Sequence, residues 1–406
     1  MPDVTVAGAG GATVPLSFDS AANTALAQSL AGAITQGVLN GTLVPATSKD
    51  GLPPPVPAGK TGQWVQETNG ATFLPNDYGA IVSTSKKSTL FGTGEENATV
   101  LATGGLTFFA GGGSGTVVAG GGNNRIVIPG STAGAWSINT GNGDDIIQAQ
   151  GTGDATIRAG GGRNTFLLGG GNDQIVSEGN DRFVLGSGSA TIVATGDGKQ
   201  HVWGGSGQLF FVGGEGAATV FGGTGSATIY GGEGQNEFHG GTAGNNLIFA
   251  GSGSATVFAG GDGDMLYAEG EDKQELYAGA GATTLFGALA GGENSFHAGA
   301  GATMITGGWG DDTFVGGLGA STIMGGPGAD IYKFIDGLSG GADIVYGFDS
   351  DDAILLKGYG KGAIDDALAS QVQIGGGVQI TLADSTTVTF MGLNLLTKSD
   401  FTNGGA

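Results

Sequence analysis

A chain of 406 residues with 89 glycines and only 12% charged residues is not an ordinary globular composition. Ten prolines and no Gly-X-Y period exclude collagen, and 39% hydrophobic residues with 20 Phe exclude a disordered linker. Fourteen basic against 36 acidic residues give a net charge of −22, which repels nucleic acid and anionic membranes; with no Cys, neither disulfides nor thiolate metal sites hold the fold.

The first 85 residues differ from the rest. No basic region followed by an apolar stretch opens the chain, and no run approaches the roughly 18 apolar residues of a membrane span, so export is expected to use another route. Phe18, Ala22, Leu26, Leu30, Ile34 and Val38 recur every fourth position and predict one amphipathic helix, capped by Ser17 or Asp19 and stopped at Asn40 and Gly41. Pro45 and the Pro53–Pro57 run read as an extended linker, with Trp64 and Phe73 beginning the next ordered unit.

From about Ser88 to Phe334 the chain repeats every nine or so residues, as in 222–230 and 251–259. Each unit is a Gly-rich turn followed by a short strand with one inward apolar residue. The inward series reads Ile157, Phe166, Ile175, Phe183, Ile192, Val202, Phe210, Val220, Ile229, Phe238, Ile248 and Val257, then Leu266, Leu276, Leu285, Phe296, Met304, Phe314, Ile323 and Tyr332. Such strands bury that residue only by stacking, two units to a coil, which predicts an all-β parallel β-roll or β-solenoid. Beyond Asp343 the repeat stops, and 344–356 with the hairpin-like 378–390 read as ordinary strands. The expected division is 1–85 (helix and linker), 86–335 (solenoid) and 336–406 (C-terminal β cap).

Two units, Gly307–Val315 and Gly325–Lys333, match Gly-Gly-x-Gly-x-Asp-x-U-x at every fixed position. In them the chain resembles the RTX family of haemolysin-type calcium-binding proteins, and its C-terminal region is similar to the tail by which type I substrates leave Gram-negative cells. The resemblance implies a secreted or cell-surface protein of a Gram-negative bacterium. It also implies Ca²⁺ held by sixth-position Asp side chains and turn carbonyls, since calcium wants six or more oxygens at about 2.3–2.6 Å. Asp312 and Asp330, one coil apart, form the expected pair, with the turns of Gly308, Gly310, Gly326 and Gly328. Asp145, Asp173 and Asp181 fall at or near the same position, but Ala155, Asn164, Ala190 and Gln200 beside them bring no second carboxylate. These three are either calcium ligands or solvated turn residues. Because Ala155, Ala190, Ala218, Ala227, Ala255 and Ala302 hold the Asp position elsewhere, calcium is expected as a local clasp near the C-terminal end, with packing closing the middle.

The position after the inward residue is also apolar. One face is expected to carry Phe211, Tyr230, Phe249, Tyr267 and Phe286, the other Trp203, Phe221, Phe258 and Tyr277. Such rows either invite a partner or stiffen the sheets as ladders. Thr156, Thr191, Thr219, Thr228 and Thr256 also face outward; a hydroxyl array of the ice-binding kind and plain β propensity both account for them. The helix and the C-terminal strands are expected to cap the solenoid ends, unless Val4–Ala7 pairs with the next molecule.

Catalysis is not expected. His201, His239 and His297 lie apart in strands; His-Glu-x-x-His does not occur; and Gly337–Gly341, a Gly-x-Ser-x-Gly match, has no His downstream. The reading is a non-enzymatic extracellular structural protein that self-associates into a fibre, surface layer or biofilm matrix through apolar faces or solenoid ends. The alternative is an adhesin or polysaccharide-binding protein that acts at a cell surface as a monomer.

Overall fold

The computed structural model describes residues 4–48, 51–92 and 97–402, with the side chains of Ala288 and Leu289 outside that description. The chain divides into two compact units, Met1–Gln208 and Leu209–Ala406. Each is a parallel β-solenoid in which successive strands alternate between two sheets and pair with the strand one coil away, as in Ala155–Ala159 with Asp173–Ser177 and Asn236–His239 with Ala255–Phe258.

In the first unit the coil begins earlier than the repeat does. Leu43–Ser48 already pairs in parallel with Thr61–Gln66, and Gly70–Leu74 opens the second sheet against Lys87–Gly92. These rungs lack the Gly-x-Gly turn that marks the later ones, so periodicity missed them. Pro45 lies inside the first strand, an edge position where its missing N–H costs no ladder bond. The Pro53–Pro57 run is an irregular connection held against the coil, for the Tyr78 hydroxyl donates to the Pro54 carbonyl.

Helix α1 spans Ala21–Leu39. Its N-cap is Ser20 rather than Ser17 or Asp19, because the Ser20 Oγ accepts the Asn23 N–H; Asn40 and Gly41 end it as expected. The buried face is turned by about one residue from the expected stripe. Asn23, Ala27, Ala31 and Ile34 are covered, while Leu26 and Leu30 flank them. Small residues at the contact let the helix sit close on the outward side chains Val65, Val82, Leu101 and Val118. The strands Val4–Ala7 and Thr13–Leu16 pair antiparallel and join the same cluster. The helix therefore covers a face of the first coils instead of capping their end.

In the second unit the coil outlasts the repeat. Ala342–Tyr346 and Ala353–Lys357 continue the two sheets in parallel, where the sequence suggests ordinary cap strands. The expected hairpin forms from Gly377–Thr381 and Thr387–Met391, and its second strand adds in parallel to Ala342–Tyr346. A short helix α2, Ala363–Ala369, which the repeat analysis did not anticipate, precedes it. Phe401–Thr402 closes the other sheet on Ala353–Lys357.

The inward series holds with two exceptions. Ile157, Phe166, Ile192, Val220, Phe238, Val257 and Leu276 are fully buried, whereas Phe210 and Met304 are 39% and 41% exposed and their neighbours Phe211 and Ile305 are buried. The turn glycines decide the register. Counting from Gly205 and Gly207, or from Gly299 and Gly301, places Leu209 and Thr303 inward, so the next inward residues are Phe211 and Ile305. A shift of one residue exchanges the faces. Phe211→Ala is expected to cost about 3–5 kcal/mol and Phe210→Ala less than about 1.5 kcal/mol. Denaturant unfolding of the two variants checks this, and the reverse order would sink the assignment.

Candidate calcium-binding turns

At the junction of each turn and strand, a backbone N–H points along the coil axis towards the next coil. Where the sixth-position residue one coil on is Asp or Asn, its side chain turns inward and accepts that N–H. In the first unit the chain of bonds runs from Leu106 N–H to Asn124 Oδ1, Asn124 N–H to Asp145 Oδ1, Asp145 N–H to Asn164 Oδ1 and Asn164 N–H to Asp181 Oδ1, at 2.7–3.1 Å. In the second it runs from Gln274 through Asn294, Asp312 and Asp330 to Asp352 at 2.9–3.1 Å. Where Ala holds the position, as at Ala190, the N–H of Asp173 one coil back bonds a backbone carbonyl, that of Ser189.

Asp312 and Asp330 thus come together as consecutive rungs, with Asp330 Oδ1 taking the Asp312 N–H. Asp312 is fully engaged, its Oδ2 accepting from Gly308. Asp145, Asp173 and Asp181 are not solvated turn residues: all three are buried, and each accepts a backbone N–H from the preceding coil. Asp181 also takes the Ser177 hydroxyl on Oδ2. Asp264, Asp343 and Asp352, none of them among the expected calcium ligands, do the same through Asn246, Ser321 and Asp330. The Asn residues serve as acceptors as well as Asp does. Their recurrence at the sixth position was the available signal; Asp352 falls outside the period, 22 residues beyond Asp330.

The turns admit only glycine. Gly310, Gly326 and Gly328 have φ of 122°, 136° and 146°, and a Cβ on Gly326 or Gly328 would stand 2.3 Å from the Gly308 carbonyl oxygen or 2.1 Å from that of Gly310. Turn carbonyls are thereby stacked beside the carboxylates. Oδ2 of Asp330 and the Tyr332 hydroxyl are buried without a hydrogen-bond partner, and both lie within 2.6 Å of where a Cβ on Gly325 would sit. Burial, then the charges of Asp352, Asp312 and Asp311, push the Asp330 carboxyl up to about 7 against the pull of the Asp312 N–H. Burial likewise raises Asp145, Asp173 and Asp343 to about 6 and shifts Asp181, Asp312 and Asp352 upward. Hard oxygen donors, an unsatisfied carboxylate oxygen and crowded negative charge fit a hard cation. Among the described residues no three His, Cys, Asp or Glu side chains converge, so carbonyl oxygens would supply the other donors.

The remaining singled-out residues have structural partners. Ser339 is buried, with Oγ accepting the Ile335 N–H and reaching the Gly316 carbonyl. His239 stacks between Phe221 and Phe258 at 4.6 Å each, and His297 on Tyr277 at 4.1 Å. The threonines make no continuous array, since Gln174 stands between Thr156 and Thr191 and Glu237 between Thr219 and Thr256.

Stacked Gly-rich turns with inward Asp and Asn define a parallel β-roll of the calcium-binding class. The family of the RTX calcium-binding nonapeptide repeat (4 copies) matches residues 150–183, 212–242, 241–272, 290–323 and 306–332; the chain carries RTX repeats, and these imply calcium binding. Comparison with curated proteins brings no match.

The raised carboxyls set a pH dependence. A carboxyl that holds its proton more tightly folded than unfolded favours the fold below its ordinary value near 3.8, and that preference fades as pH climbs to its folded value. With Asp145, Asp173 and Asp343 at about 6 and Asp330 at about 7, Tm in chelator is expected to fall between pH 4 and pH 7. Calcium should reverse the fall at pH 7 by binding the ionised forms. Calorimetry across that range checks both, and a Tm that rises with pH in chelator contradicts the account.

Proposed function

We propose that the protein is an extracellular structural protein, a calcium-clasped solenoid that associates with copies of itself. The observation that carries the reading is a pair of aromatic ridges on the second unit. On one sheet Tyr230, Phe249, Tyr267 and Phe286 stack in succession at 4.6–4.8 Å, with Phe210 tilted against Tyr230 from the neighbouring position at 5.8 Å. On the other, Phe221, His239, Phe258, Tyr277 and His297 stack at 4.1–4.8 Å. Phe211, expected in the first row, is buried instead, and Val212 stands in register with Tyr230; histidines complete the second row. The first ridge spans three rung steps of about 4.8 Å and the second four, or about 14 and 19 Å.

The stacking geometry favours one kind of partner. A sugar ring binds an aromatic face, but here ring faces lie against each other and the surface meets mostly ring edges. A flat apolar strip of edges suits another flat sheet better than a glycan, which supports self-association over the adhesin reading. Secretion is supported by the RTX repeats. No helix among the described residues is long and apolar enough to cross a membrane. The calcium clasp is assigned to the rungs of Asp312, Asp330 and Asp352, where charge and the unsatisfied oxygen coincide. A structural role without catalysis belongs to the same reading, in which Ser339 is buried and His239 and His297 stand in the stacked ridge.

Sedimentation and negative-stain microscopy with and without millimolar calcium test it. The parent is expected to form ordered filaments or sheets in calcium, and Tyr230→Lys/Phe249→Lys to remain monomeric with unchanged far-UV circular dichroism. Dispersed monomers of the parent in both buffers would overturn the reading, and assembly of the variant equal to the parent would take the ridges out of it.

A further inference from the structure

The start of α1 is fastened to the repeat turns by a side chain that no repeat supplies. Phe18 is buried in the cluster beneath the helix, and Asn23 Nδ2 donates to the Ala119 carbonyl, which sets the segment between them over the turns at 120–122 and 140–145. There Asp19 Oδ2 accepts the N–H of Asn142. Two glycines make room: a Cβ on Gly121 would stand 3.0 Å from Asp19 Oδ2, and one on Gly141 would stand 2.1 Å from Oδ1.

Three buried oxygens around this turn have no hydrogen-bond partner: Asp19 Oδ1, Thr140 Oγ1 and Asp145 Oδ2. Asp145 is completely buried, and its other oxygen already takes both the N–H and the side-chain amide of Asn124. The three groups share one electrostatic environment. Burial raises the Asp145 carboxyl, the nearby Thr140 hydroxyl eases its ionised form, and the charge of Asp19 raises it further. Two carboxylates and a hydroxyl, all oxygen, form a donor set for a hard divalent cation, and none of the ion pairs found among the described residues involves them.

We propose that Asp19, Thr140 and Asp145 bind a calcium-class cation, with Asp19 standing in for the second repeat carboxylate that the stacked turns lack here. The site makes docking of the N-terminal helix calcium-dependent. It shares with the reading above only the use of calcium, and it lies among other residues than the Asp312, Asp330 and Asp352 rungs.

Calcium titration calorimetry of the full chain, with hydrogen exchange at 19–24 and 140–145, tests it. Asp19→Asn, which keeps the acceptor for Asn142, and Gly141→Ala, which displaces Asp19 without touching any ligand, are each expected to bind one calcium fewer than the parent. Chelator should speed exchange in both segments of the parent and leave both variants unchanged. Asp330→Asn is the control arm. If it lowers the stoichiometry while Asp19→Asn and Gly141→Ala match the parent, this site is refuted and the clasp stands. If the parent binds no calcium, both fail. If chelator leaves exchange at 140–145 unmoved in the parent, water fills the space and the proposal is overturned.

Discussion

A strand of four residues between two turns has no core of its own and leaves every edge N–H and C=O to be answered from outside. The answer comes from the coil above and the coil below, and at the turn-to-strand junction the pleated ladder cannot always reach. There a side chain completes it: Asn294, Asp312, Asp330 and Asp352 each offer one oxygen to the backbone N–H of the preceding coil. This single bond fixes the axial register of turn on turn. Once it is in place, inward residues such as Phe296, Phe314 and Tyr332 stack at 5.2–5.5 Å, and outward rings fall into line without further instruction.

That division of labour accounts for what the sequence disclosed. The nine-residue period and the inward apolar residue are consequences of strand geometry, so they survive substitution and were legible across 150–332. The face assignment failed only where two large apolar residues stand side by side, at Phe210 and Phe211 and at Met304 and Ile305, because hydrophobicity cannot rank them and the turn glycines can. The coils at 43–83 and 342–357 were illegible as coils because their turns are built by proline loops and longer connections. Of the candidate site, the Asp positions were legible and their direction was not. Nothing in a nonapeptide says whether a carboxylate faces solvent or folds inward to cap a buried amide, and Asn, which does the second job as well, carries no calcium signal.

The inward carboxylates explain how a protein with net charge −22 can also bury negative charge. Each buried Asp accepts one or more N–H groups, which offsets part of its desolvation, but the second oxygen of Asp330 has no such relief. Replacing that Asp with Asn would keep the ladder and remove the problem, as Asn124, Asn164 and Asn294 demonstrate on other rungs. Asp in consecutive rungs at 312, 330 and 352 therefore adds negative charge that the ladder itself does not need. The ladder alone would be served as well by Asn.

The same comparison bears on the outward ridges. Aromatic stacking along a sheet is worth about 0.5–1.5 kcal/mol per pair beyond the area buried, enough for the rings to have been arranged for stiffness alone. Stiffness, however, requires only that neighbouring rings touch; it does not require one sheet of the unit to stack four rings and the other five with their edges reaching the surface. A net negative surface would keep copies apart unless apolar contact or calcium outweighs the repulsion. In the assembly proposed above, calcium neutralising the carboxylates and ridges supplying the contact are two parts of one condition.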